Sequence, residues 1–419
     1  MSAWIEPLLK RNLIQDTTPL PDTPEAIGAA YVGIDPTADS LHIGHLAPLQ
    51  LLYHLAQLGI RPIVVIGGAT ACIGDPSGKK SERPLLPIET VQSNASKLIQ
   101  QVQKLLPFPL TIVNNYDWLG KYSLIDFLRD VGKHITVSYL LAKETIHSRL
   151  ESGISFTEFS YPVLQGYDFL YLFREKGCRL QIGGSDQWGN ITTGIELIRK
   201  LTGEEAYGIT CPLLTRADGT KFGKSEGGEN VWLSPEKTSP YRFYQFWLNQ
   251  PDSDMEKLLK VFSWRSLDEI QGLLFEHYQQ PERRLAQRTL AYEMTARIHG
   301  EMVAQAVQKV SEIIFGTTDL SEIEALPEEV FAAMVAEMPH FRLPGERQNE
   351  GLIETLVQIG FLRSKSEGRQ LLQQGGLSVN RQRISDEKQS LFDIRPLRHR
   401  FWLLQRGKKH FAWIEVAEA

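Results

Sequence analysis

The sequence contains few cysteines and no long apolar run. Cys72, Cys178 and Cys211 are spread over 419 residues, and their spacing matches no metal-binding motif. Three thiols cannot form a disulfide framework in a chain of this length. The composition therefore favours a reducing compartment, the cytoplasm. No window approaches about 18 uninterrupted apolar residues, which predicts no membrane-spanning helix. An early Glu6 and the lack of an apolar core in the first residues argue against a signal peptide.

An overall excess of basic charge is also absent. The chain has 45 Lys and Arg against 50 Asp and Glu, which gives a net charge of −5 at pH 7. This balance excludes a uniformly basic surface that binds nucleic acid along its whole length. Residues 353–419 depart from it, with 12 Lys and Arg and 7 Asp and Glu. A small basic module attached to an acidic body indicates a polyanionic partner.

The first half of the chain alternates strand and helix patterns. Apolar runs at 29–34, 62–68, 110–119 and 179–185 are typical of strands, and apolar residues at helical spacing separate them. This alternation predicts an α/β fold with a mostly parallel sheet. Ligands of such sheets bind outside the carboxyl ends of the strands, where the chain order reverses. Polar or glycine-rich residues follow all four runs, so we expect the functional site at that edge.

The second half of the chain has a different pattern. From 239 to about 315 it is helical throughout, whereas 316–350 is acidic, rich in proline and glycine, and predicts a connector. A compact module of about 67 residues closes the chain. Its first part, 353–380, predicts two short helices and a turn into a strand, and its aromatic residues alternate with apolar ones as in a core.

The most specific pattern is His42-Ile43-Gly44-His45, at the start of the helix after the first strand. Histidines three residues apart share a helix face, where they can donate hydrogen bonds to phosphate oxygens beside the positive helix end. Gly44 would let a flat ring such as adenine approach the backbone. Two alternatives stay open: ordinary surface histidines, or part of a zinc site, although no third ligand at zinc-like spacing is evident.

A second pattern is a glycine-rich loop with two lysines, Lys221-Phe222-Gly223-Lys224-Ser225. Mobile lysines can close on a polyphosphate and neutralise the charge that grows on a leaving pyrophosphate. Alone this loop is weak support, because charged loops are usually only solvated. Together with the two histidines it indicates nucleotide chemistry. The GDPSGK string at 74–79 is not a P-loop, because its spacing differs from G-x-x-x-x-G-K-[ST].

These patterns give the sequence a family resemblance. It resembles the class I aminoacyl-tRNA synthetases, and among them the bacterial tyrosyl-tRNA synthetases. HIGH and KFGKS correspond to the two signatures of the class, and YVGIDPTADSLHIGH, IGDPSGKKSER, FSYPVLQGYDF and LQIGGSDQWGN follow the family's order over nearly the whole chain. The resemblance implies four parts: a Rossmann-like catalytic domain (1–220), the KFGKS loop with an all-helical tRNA-anticodon domain (221–318), an acidic linker (319–350) and a small α+β RNA-binding domain (351–419).

The resemblance also implies an activity. The enzyme would activate L-tyrosine with ATP, releasing pyrophosphate, and transfer tyrosine from the adenylate to the 3′ end of tRNA(Tyr). His42, His45, Lys221 and Lys224 would stabilise the transition state. Mg²⁺ would accompany ATP as a substrate, with no tightly bound cofactor and no protein metal site. The resemblance further implies a cytoplasmic homodimer with no membrane partner, whose interface lies in the helical region 120–150.

For the amino acid, the resemblance assigns Tyr31 and Asp168 to the phenolic hydroxyl, one as donor and one as acceptor. Buried polar groups committed to a hydroxyl reject phenylalanine because it leaves them unpaired, an effect for which tyrosyl-tRNA synthetases are themselves a standard example. The rest of the pocket is assigned to Asp75, Asn115, Tyr161, Gln165 and Gln187. The spacing of Tyr161, Gln165 and Asp168 places them on one helix face, which alone would also fit a polar face packed against another helix.

Two further sets of residues are assigned by the resemblance. The ATP-binding set is Asp35, Gly44, Lys79, Arg83, Gly183, Gly184, Asp186 and Lys224. The RNA-binding set is Arg363, Lys365, Arg369, Arg381 and Arg383. A basic patch such as this RNA-binding set binds phosphates with strong salt dependence. The alternative interpretation is a basic domain that is only solvated and binds no nucleic acid. Lys79 and Arg83 would lie near the pyrophosphate, or alternatively in a charged loop that faces solvent.

The sequence also allows three rival functions, and it departs from the family pattern at Pro48. The rivals are another nucleotidyl-transfer enzyme, a synthetase for tryptophan, and a non-catalytic RNA-binding relative. Tyr31 and Asp168 favour a phenol, the basic module favours tRNA, and the intact histidines and lysines argue against a non-catalytic relative. Pro48 stands where some relatives carry a hydroxyl residue, and it predicts a local kink in its helix.

Overall fold

The computed structural model describes residues 2–78, 82, 84–151, 153–215, 222–223, 228–314, 319–343, 351–407 and 410–416. The chain divides into two compact units, which are described separately. The first comprises Met1–Lys237 and Gln250–Leu290, and the second comprises Thr238–Asn249 and Ala291–Ala419. Among the described residues, no helix combines the length and apolar character needed to cross a bilayer.

The first unit contains a six-stranded sheet. Its strands are β1 (Asp16–Thr17), β2 (Ala29–Ile34), β3 (Arg61–Ile66), β4 (Thr111–Asn114), β5 (Cys178–Gly184) and β6 (Tyr207–Cys211). Their order is β1-β6-β5-β2-β3-β4, and every pair is parallel except β1 with β6. The α/β class with a Rossmann-like parallel sheet is confirmed. The sequence patterns missed β1 and β6, which are short.

The chain order of this sheet reverses at β2. Strands β3 and β4 follow on one side of β2, whereas β5 and β6 are added on the other side. Such a reversal opens a crevice outside the carboxyl ends of the strands. Tyr31 of β2 lies in register with Gln181 of β5, so both approach this crevice from the sheet.

Helices cover the sheet of the first unit. They are α1 (Glu6–Lys10), α2 (Leu46–Gln57), α3 (Ile88–Leu105), α4 (Tyr116–Leu119), α5 (Leu124–Asp130), α6 (Val137–Leu141), α7 (Glu144–His147), α8 (Phe156–Lys176), α9 (Trp188–Thr202) and, beyond α10 (Pro240–Leu248) of the second unit, α11 (Asp252–Phe262) and α12 (Leu267–Gln279). Pro48 lies in the first turn of α2. A first-turn N–H has no partner within the helix, so Pro48 removes no helical hydrogen bond and the predicted kink has no cause there.

Helix α8 presents three of the seven residues predicted to bind the amino acid, Tyr161, Gln165 and Asp168. The hydroxyl of Ser155 accepts the backbone N–H of Glu158 at its start, and Gly177, with φ of 60°, ends it in the left-handed conformation. Its apolar residues Phe169 and Leu172 are fully buried in the core against the sheet. Each such side chain contributes about 1.5–3 kcal/mol to stability, which holds the helix and the polar residues it carries in place.

The second unit combines helices with a second sheet. Its remaining helices are α13 (Leu285–His299), which begins in the first unit, α14 (Glu301–Ile314), α15 (Leu320–Glu324), α16 (Glu328–Ala336), α17 (Leu352–Gln358) and α18 (Lys365–Gln374). Its strands are β7 (His340–Leu343), β8 (Leu377–Val379), β9 (Gln382–Arg383), β10 (Phe401–Arg406) and β11 (His410–Val416), in the order β7-β11-β10-β8-β9. The two short helices and the following strand of the last module lie where the sequence predicted them.

Residues 319–343 differ from the connector that the sequence predicted. They form α15, α16 and β7, and Phe331 of α16 packs against Trp413 of β11 in one core. The prolines that suggested a loop lie at the ends of elements, since Pro327 immediately precedes α16 and Pro339 immediately precedes β7. The domain boundaries given from the sequence stay a prediction. The aromatics Phe401, Trp402 and Trp413 are buried, as expected for a core.

Candidate active site

A cavity of about 770 Å³ lies at the carboxyl ends of β2 and β5 in the first unit. It is lined by residues that the sequence assigned to two different substrates. These are Tyr31, Asp75, Asn115, Tyr161, Gln165, Asp168 and Gln187 for the amino acid, and Asp35, His42, Gly44, His45, Gly183, Gly184 and Asp186 for the nucleotide. Segments far apart in the chain therefore converge on one cavity.

One end of the cavity offers a buried acceptor and a buried donor. Asp168 is 3% exposed, and its carboxylate accepts the indole N–H of Trp118 at 2.7 Å and the amide N–H of Asn115 at 3.0 Å. Burial raises the pKa of Asp168 to about 7, and these two hydrogen bonds oppose the rise. Tyr31 is 1% exposed, and its hydroxyl has no hydrogen-bond partner among the described residues. Burial raises the pKa of Tyr31 well above its usual value, so it remains a donor.

Three residues at this end were missed by the sequence reasoning. Trp118 contacts Asp168, and Thr70 accepts the Asn115 amide at 3.0 Å. Gln181, which is 1% exposed, lines the cavity beside Tyr31, and its side-chain oxygen has no partner among the described residues. A glutamine inside an apolar strand was the available signal for Gln181, because buried polar groups need partners.

Carboxamides surround a second carboxylate in the cavity. The side-chain N–H of Gln187 donates to Asp75 at 2.8 Å, and Gln165 donates to Gln187 at 3.3 Å. Asn190, which the sequence reasoning also missed, donates to the side-chain oxygens of Gln165 and Gln187, each at 3.1 Å. Asp75 is 8% exposed and also accepts the backbone N–H of Ser77 at 2.9 Å. The three side-chain amides form one hydrogen-bonded network, which Gln187 and Asn190 join to the Asp75 carboxylate.

Asp35 joins the two halves of the cavity. Its carboxylate accepts the hydroxyl of Tyr161 at 2.7 Å and that of Thr70 at 2.7 Å. Burial and the nearby charge of Asp35 raise the pKa of Tyr161 well above its usual value. Tyr161 was assigned to the amino acid and Asp35 to the nucleotide, and the structure places them in direct contact.

Backbone donors fix the protonation pattern of the two histidines. The ring atom Nδ1 of His42 accepts the N–H of Gly44 at 3.1 Å, and Nδ1 of His45 accepts the N–H of His42 at 3.1 Å. An acceptor Nδ1 in a neutral ring leaves the proton on Nε2. Desolvation, and then the neighbouring His42, lower the pKa of His45 to about 3, so His45 is neutral at physiological pH. The ring centroids lie 4.0 Å apart, so the two histidines form a compact pair of donors.

The glycines of the two signatures contact each other. A Cβ at residue 44 would lie 2.8 Å from Cε1 of His42, so a side chain there would displace the histidine ring. Gly223 has φ of 93°, and a Cβ there would lie 3.5 Å from the backbone N of Gly44. The described part of KFGKS therefore lies beside HIGH. The predicted residues Lys221 and Lys224, together with Lys79 and Arg83, fall outside the described residues.

The residues predicted to bind RNA lie in the second unit. Arg363, Lys365, Arg369, Arg381 and Arg383 are all exposed. Lys365 forms an ion pair with Glu354, and Arg369 forms one with Glu387 at 2.7 Å. Separately, no group of three or more His, Cys, Asp or Glu side chains suited to a metal ion occurs in the part of the chain that the structure describes.

Comparison with known proteins places this chain in a family. Residues 25–316 match the family model for tRNA synthetases class I (W and Y), and residues 330–414 match that for the tyrosine–tRNA ligase SYY-like C-terminal domain. A tyrosine–tRNA ligase of Geobacillus stearothermophilus is 49% identical over 393 residues, which is 92% of each chain. One from Porphyromonas gingivalis is 46% identical over 430 residues, which is 99% of each.

A solved structure extends the similarity to three dimensions. A C-terminally truncated mitochondrial tyrosyl-tRNA synthetase of Aspergillus nidulans superposes with a TM-score of 0.67 at 32% identity, over 75% of this chain and 95% of the other. The sequence match, the domain match and the fold agree. The chain belongs to the tyrosine–tRNA ligase family of class I tRNA synthetases.

Proposed function

We propose that this enzyme activates L-tyrosine with ATP and transfers the tyrosyl group to the 3′ end of tRNA(Tyr). One observation supports this function best: Tyr31 and Asp168 present a buried donor and acceptor in the same cavity as the paired imidazoles of His42 and His45. A phenolic hydroxyl can satisfy both buried groups, whereas phenylalanine satisfies neither, and tryptophan, whose indole N–H only donates, leaves the Tyr31 hydroxyl without an acceptor.

In the first reaction, tyrosine binds with its hydroxyl between Tyr31 and Asp168 and its ammonium group beside Asp75, Tyr161 and Gln165. Asn115 orients the Asp168 carboxylate through its hydrogen bond, and Gln187 orients Asp75. One carboxylate oxygen of tyrosine attacks the α-phosphorus of ATP. The bond from that phosphorus to the oxygen of the leaving pyrophosphate breaks, and tyrosyl-adenylate forms.

Charge that develops on the phosphates is stabilised by protein donors. The Nε2–H groups of His42 and His45 can donate to the phosphate oxygens, and the lowered pKa of His45 keeps that ring a neutral donor at physiological pH. Lys221 and Lys224, with Lys79 and Arg83, contribute positive charge to the pyrophosphate. The ribose is bound beside Gly183, Gly184 and Asp186, with Asp35 and Gly44 completing the nucleotide site. No protein nucleophile is required, because tyrosine itself attacks.

In the second reaction, a hydroxyl of the terminal tRNA ribose attacks the carbonyl carbon of the adenylate, and AMP leaves. Arg363, Lys365, Arg369, Arg381 and Arg383 bind tRNA phosphates through the C-terminal module. Mg²⁺ enters as the counterion of ATP, held by the phosphates, and it shields their charge. We place the enzyme in the cytoplasm, where ATP and tRNA are available, and the three free cysteines fit such a reducing compartment.

The active assembly is a homodimer that uses the helical region 120–150. Leu124 and Ile125 of α5 are each 70% exposed, and Val137 of α6 is 61% exposed. Clustered exposed apolar residues mark interaction surfaces. Ile125→Glu is expected to give a monomer in sedimentation velocity, whereas Phe275→Glu, at a 71% exposed residue of α12, leaves the dimer intact. Unchanged sedimentation of the Ile125 variant would exclude this interface.

The function is tested by pyrophosphate exchange into ATP with each amino acid in turn, followed by charging of tRNA. We expect exchange with tyrosine alone, and aminoacylation of tRNA(Tyr). Exchange with tryptophan instead of tyrosine would identify the other branch of the family. RNA binding without exchange would identify a non-catalytic relative.

A further inference from the structure

The segment after the KFGKS loop pairs with the HIGH segment. The backbone N–H of Ile43 donates to the carbonyl of Val231 at 3.0 Å, and that of Leu233 donates to Leu41 at 2.8 Å. Between these bonds, His42 and Trp232 are direct partners in an antiparallel bridge. Residues directly opposite in such a pair project their side chains to the same side. Trp232 is thereby brought beside a histidine of the active site by main-chain pairing.

The side chain of Trp232 contacts the ring of His42. The two rings are 5.6 Å apart between centroids and cross at 69°, an edge-on geometry, and both line the cavity. The ring of His45 also contacts the His42 ring, with 4.0 Å between centroids, and the N–H of Gly44 donates to Nδ1 of His42. The contact with Trp232 adds a further constraint on the direction in which Nε2–H of His42 points.

Trp232 is itself held by a charged pair. The ammonium group of Lys237 lies 5.1 Å from the centre of the Trp232 ring and 2.7 Å from a carboxylate oxygen of Asp39. Asp39 also pairs with Lys97 of α3 at 3.1 Å. The two lysines lower the pKa of Asp39, so its charge is retained at neutral pH. A cation over the face of an indole restrains the plane of that ring.

We propose that Trp232 is a positioning residue for adenylate formation, holding the His42 imidazole while the Asp39–Lys237 pair holds Trp232. The proposal rests on the proposed function of the cavity. Trp232 lies seven residues beyond Ser225, the last residue of KFGKS, and its pairing with His42 joins the segment after that loop to HIGH. The N–H of Val231 donates to the carbonyl of Gly223 at 3.0 Å, so both ends of the loop meet at this point.

The test uses the full chain and pyrophosphate exchange with tyrosine. Trp232→Leu is expected to lower kcat by about tenfold to a hundredfold, as misdirected donors do, with KM for tyrosine nearly unchanged. Trp232→Phe keeps a ring and is expected to restore most of the activity. Lys237→Met is expected to lower kcat in the same direction as Trp232→Leu. The matched control is Lys97→Met, which removes the other partner of Asp39, leaves Lys237 over Trp232, and is expected to change nothing.

A double-mutant cycle separates positioning from general damage to the fold. If Trp232 acts through His42, then Trp232→Leu costs little further activity in a His42→Ala background. Equal costs in both backgrounds, or a loss of tyrosine affinity in place of kcat, would overturn the proposal.

A second readout does not depend on activity. The ¹⁵N spectrum of His42 is expected to show the Nε2–H tautomer in the wild type and a mixture of tautomers in Trp232→Leu. An unchanged spectrum would also contradict the proposal. Absence of exchange in the wild type would instead reject the proposed function, and the spectrum would still test the positioning.

Discussion

At the scale of residues, the cavity depends on buried groups whose protonation is set by their surroundings. Asp168 is held by Asn115 and Trp118, yet burial still raises its pKa to about 7. His45 shows the opposite effect, with a pKa of about 3 that keeps it neutral. Each shift has a consequence for stability or rate, because a shifted pKa is a difference in proton binding.

The raised pKa of Asp168 predicts a pH-dependent stability. A carboxyl in an unfolded chain has a pKa of about 4, so folding favours the protonated form of Asp168. Its contribution is fully present below about pH 4 and is lost as pH rises through about 7. In urea unfolding, the stability of the wild type relative to Asp168→Asn should therefore fall between pH 5 and about 8. The exposed Asp117→Asn is the control, and a flat difference for Asp168→Asn would contradict the assignment.

The neutral state of His45 predicts which substitutions preserve activity. A glutamine keeps a neutral N–H donor, whereas alanine removes it. We expect His45→Ala to lower kcat for exchange by about 10²–10³-fold and His45→Gln to lower it less. The pH–rate profile of the wild type should show no limb from His45 above about pH 5. Equal losses in the two variants would show that donation from this position is not used.

At the scale of elements, α8 carries three site residues, and its first turn is tied to the chain before it. Arg149, beyond α7, forms an ion pair with Glu158 at 2.9 Å, and their side chains are 5% and 0% exposed. A buried charge that loses its partner is strongly destabilising, whereas replacing both partners costs much less. The attraction between Arg149 and Glu158 therefore contributes little net stability. The pair fixes the start of α8 because separating the two buried charges would cost much free energy.

This buried pair gives a stability prediction. Arg149→Met should lower the free energy of unfolding by about 3–5 kcal/mol, and adding Glu158→Leu should recover part of that loss. The control is Arg129→Met, because Arg129 pairs with Asp126 and Asp130 but is 63% exposed, so its loss should cost under about 1 kcal/mol. Urea unfolding of the four proteins measures these values. Similar costs at both arginines would refute the role of burial.

Many of the helices and strands could be predicted from the sequence, and the physical reason differs from one element to another. Helix α3 lies where helical spacing was predicted, between the runs at 62–68 and 110–119, because its amphipathic pattern is long and regular. Strand β6 and helix α16 were missed, since a short apolar run has no periodicity of its own and flanking prolines resemble a loop. In the site, Trp118 and Asn190 could not be predicted, because each is defined by a tertiary hydrogen bond.

At the scale of the whole molecule, catalysis and tRNA binding are assigned to different parts of the chain. The cavity belongs to the first unit, and the exposed basic residues of the C-terminal module belong to the second. Phosphate contacts are electrostatic and add to the salt dependence of binding, whereas tyrosine activation needs only the cavity. The two functions should therefore respond separately to substitution.

This separation predicts the behaviour of Arg363 and Arg383. Replacing both by glutamine should weaken tRNA binding and reduce the slope of log affinity against log salt by about 1 for each lost phosphate contact. Pyrophosphate exchange with tyrosine should be unchanged. Arg199→Gln, an exposed arginine of α9 paired with Glu196, serves as the control. An unchanged salt slope would place the RNA surface elsewhere.

The central claim is that Tyr31 and Asp168 bind the phenolic hydroxyl of tyrosine while His42 and His45 donate hydrogen bonds to the phosphates of ATP in the same cavity. The most direct measurement is a crystal structure with tyrosine and a non-hydrolysable ATP analogue. We expect the phenolic oxygen within hydrogen-bond distance of Tyr31 and Asp168, and phosphate oxygens beside Nε2 of His42 and His45. Either ligand bound at another place would contradict the account.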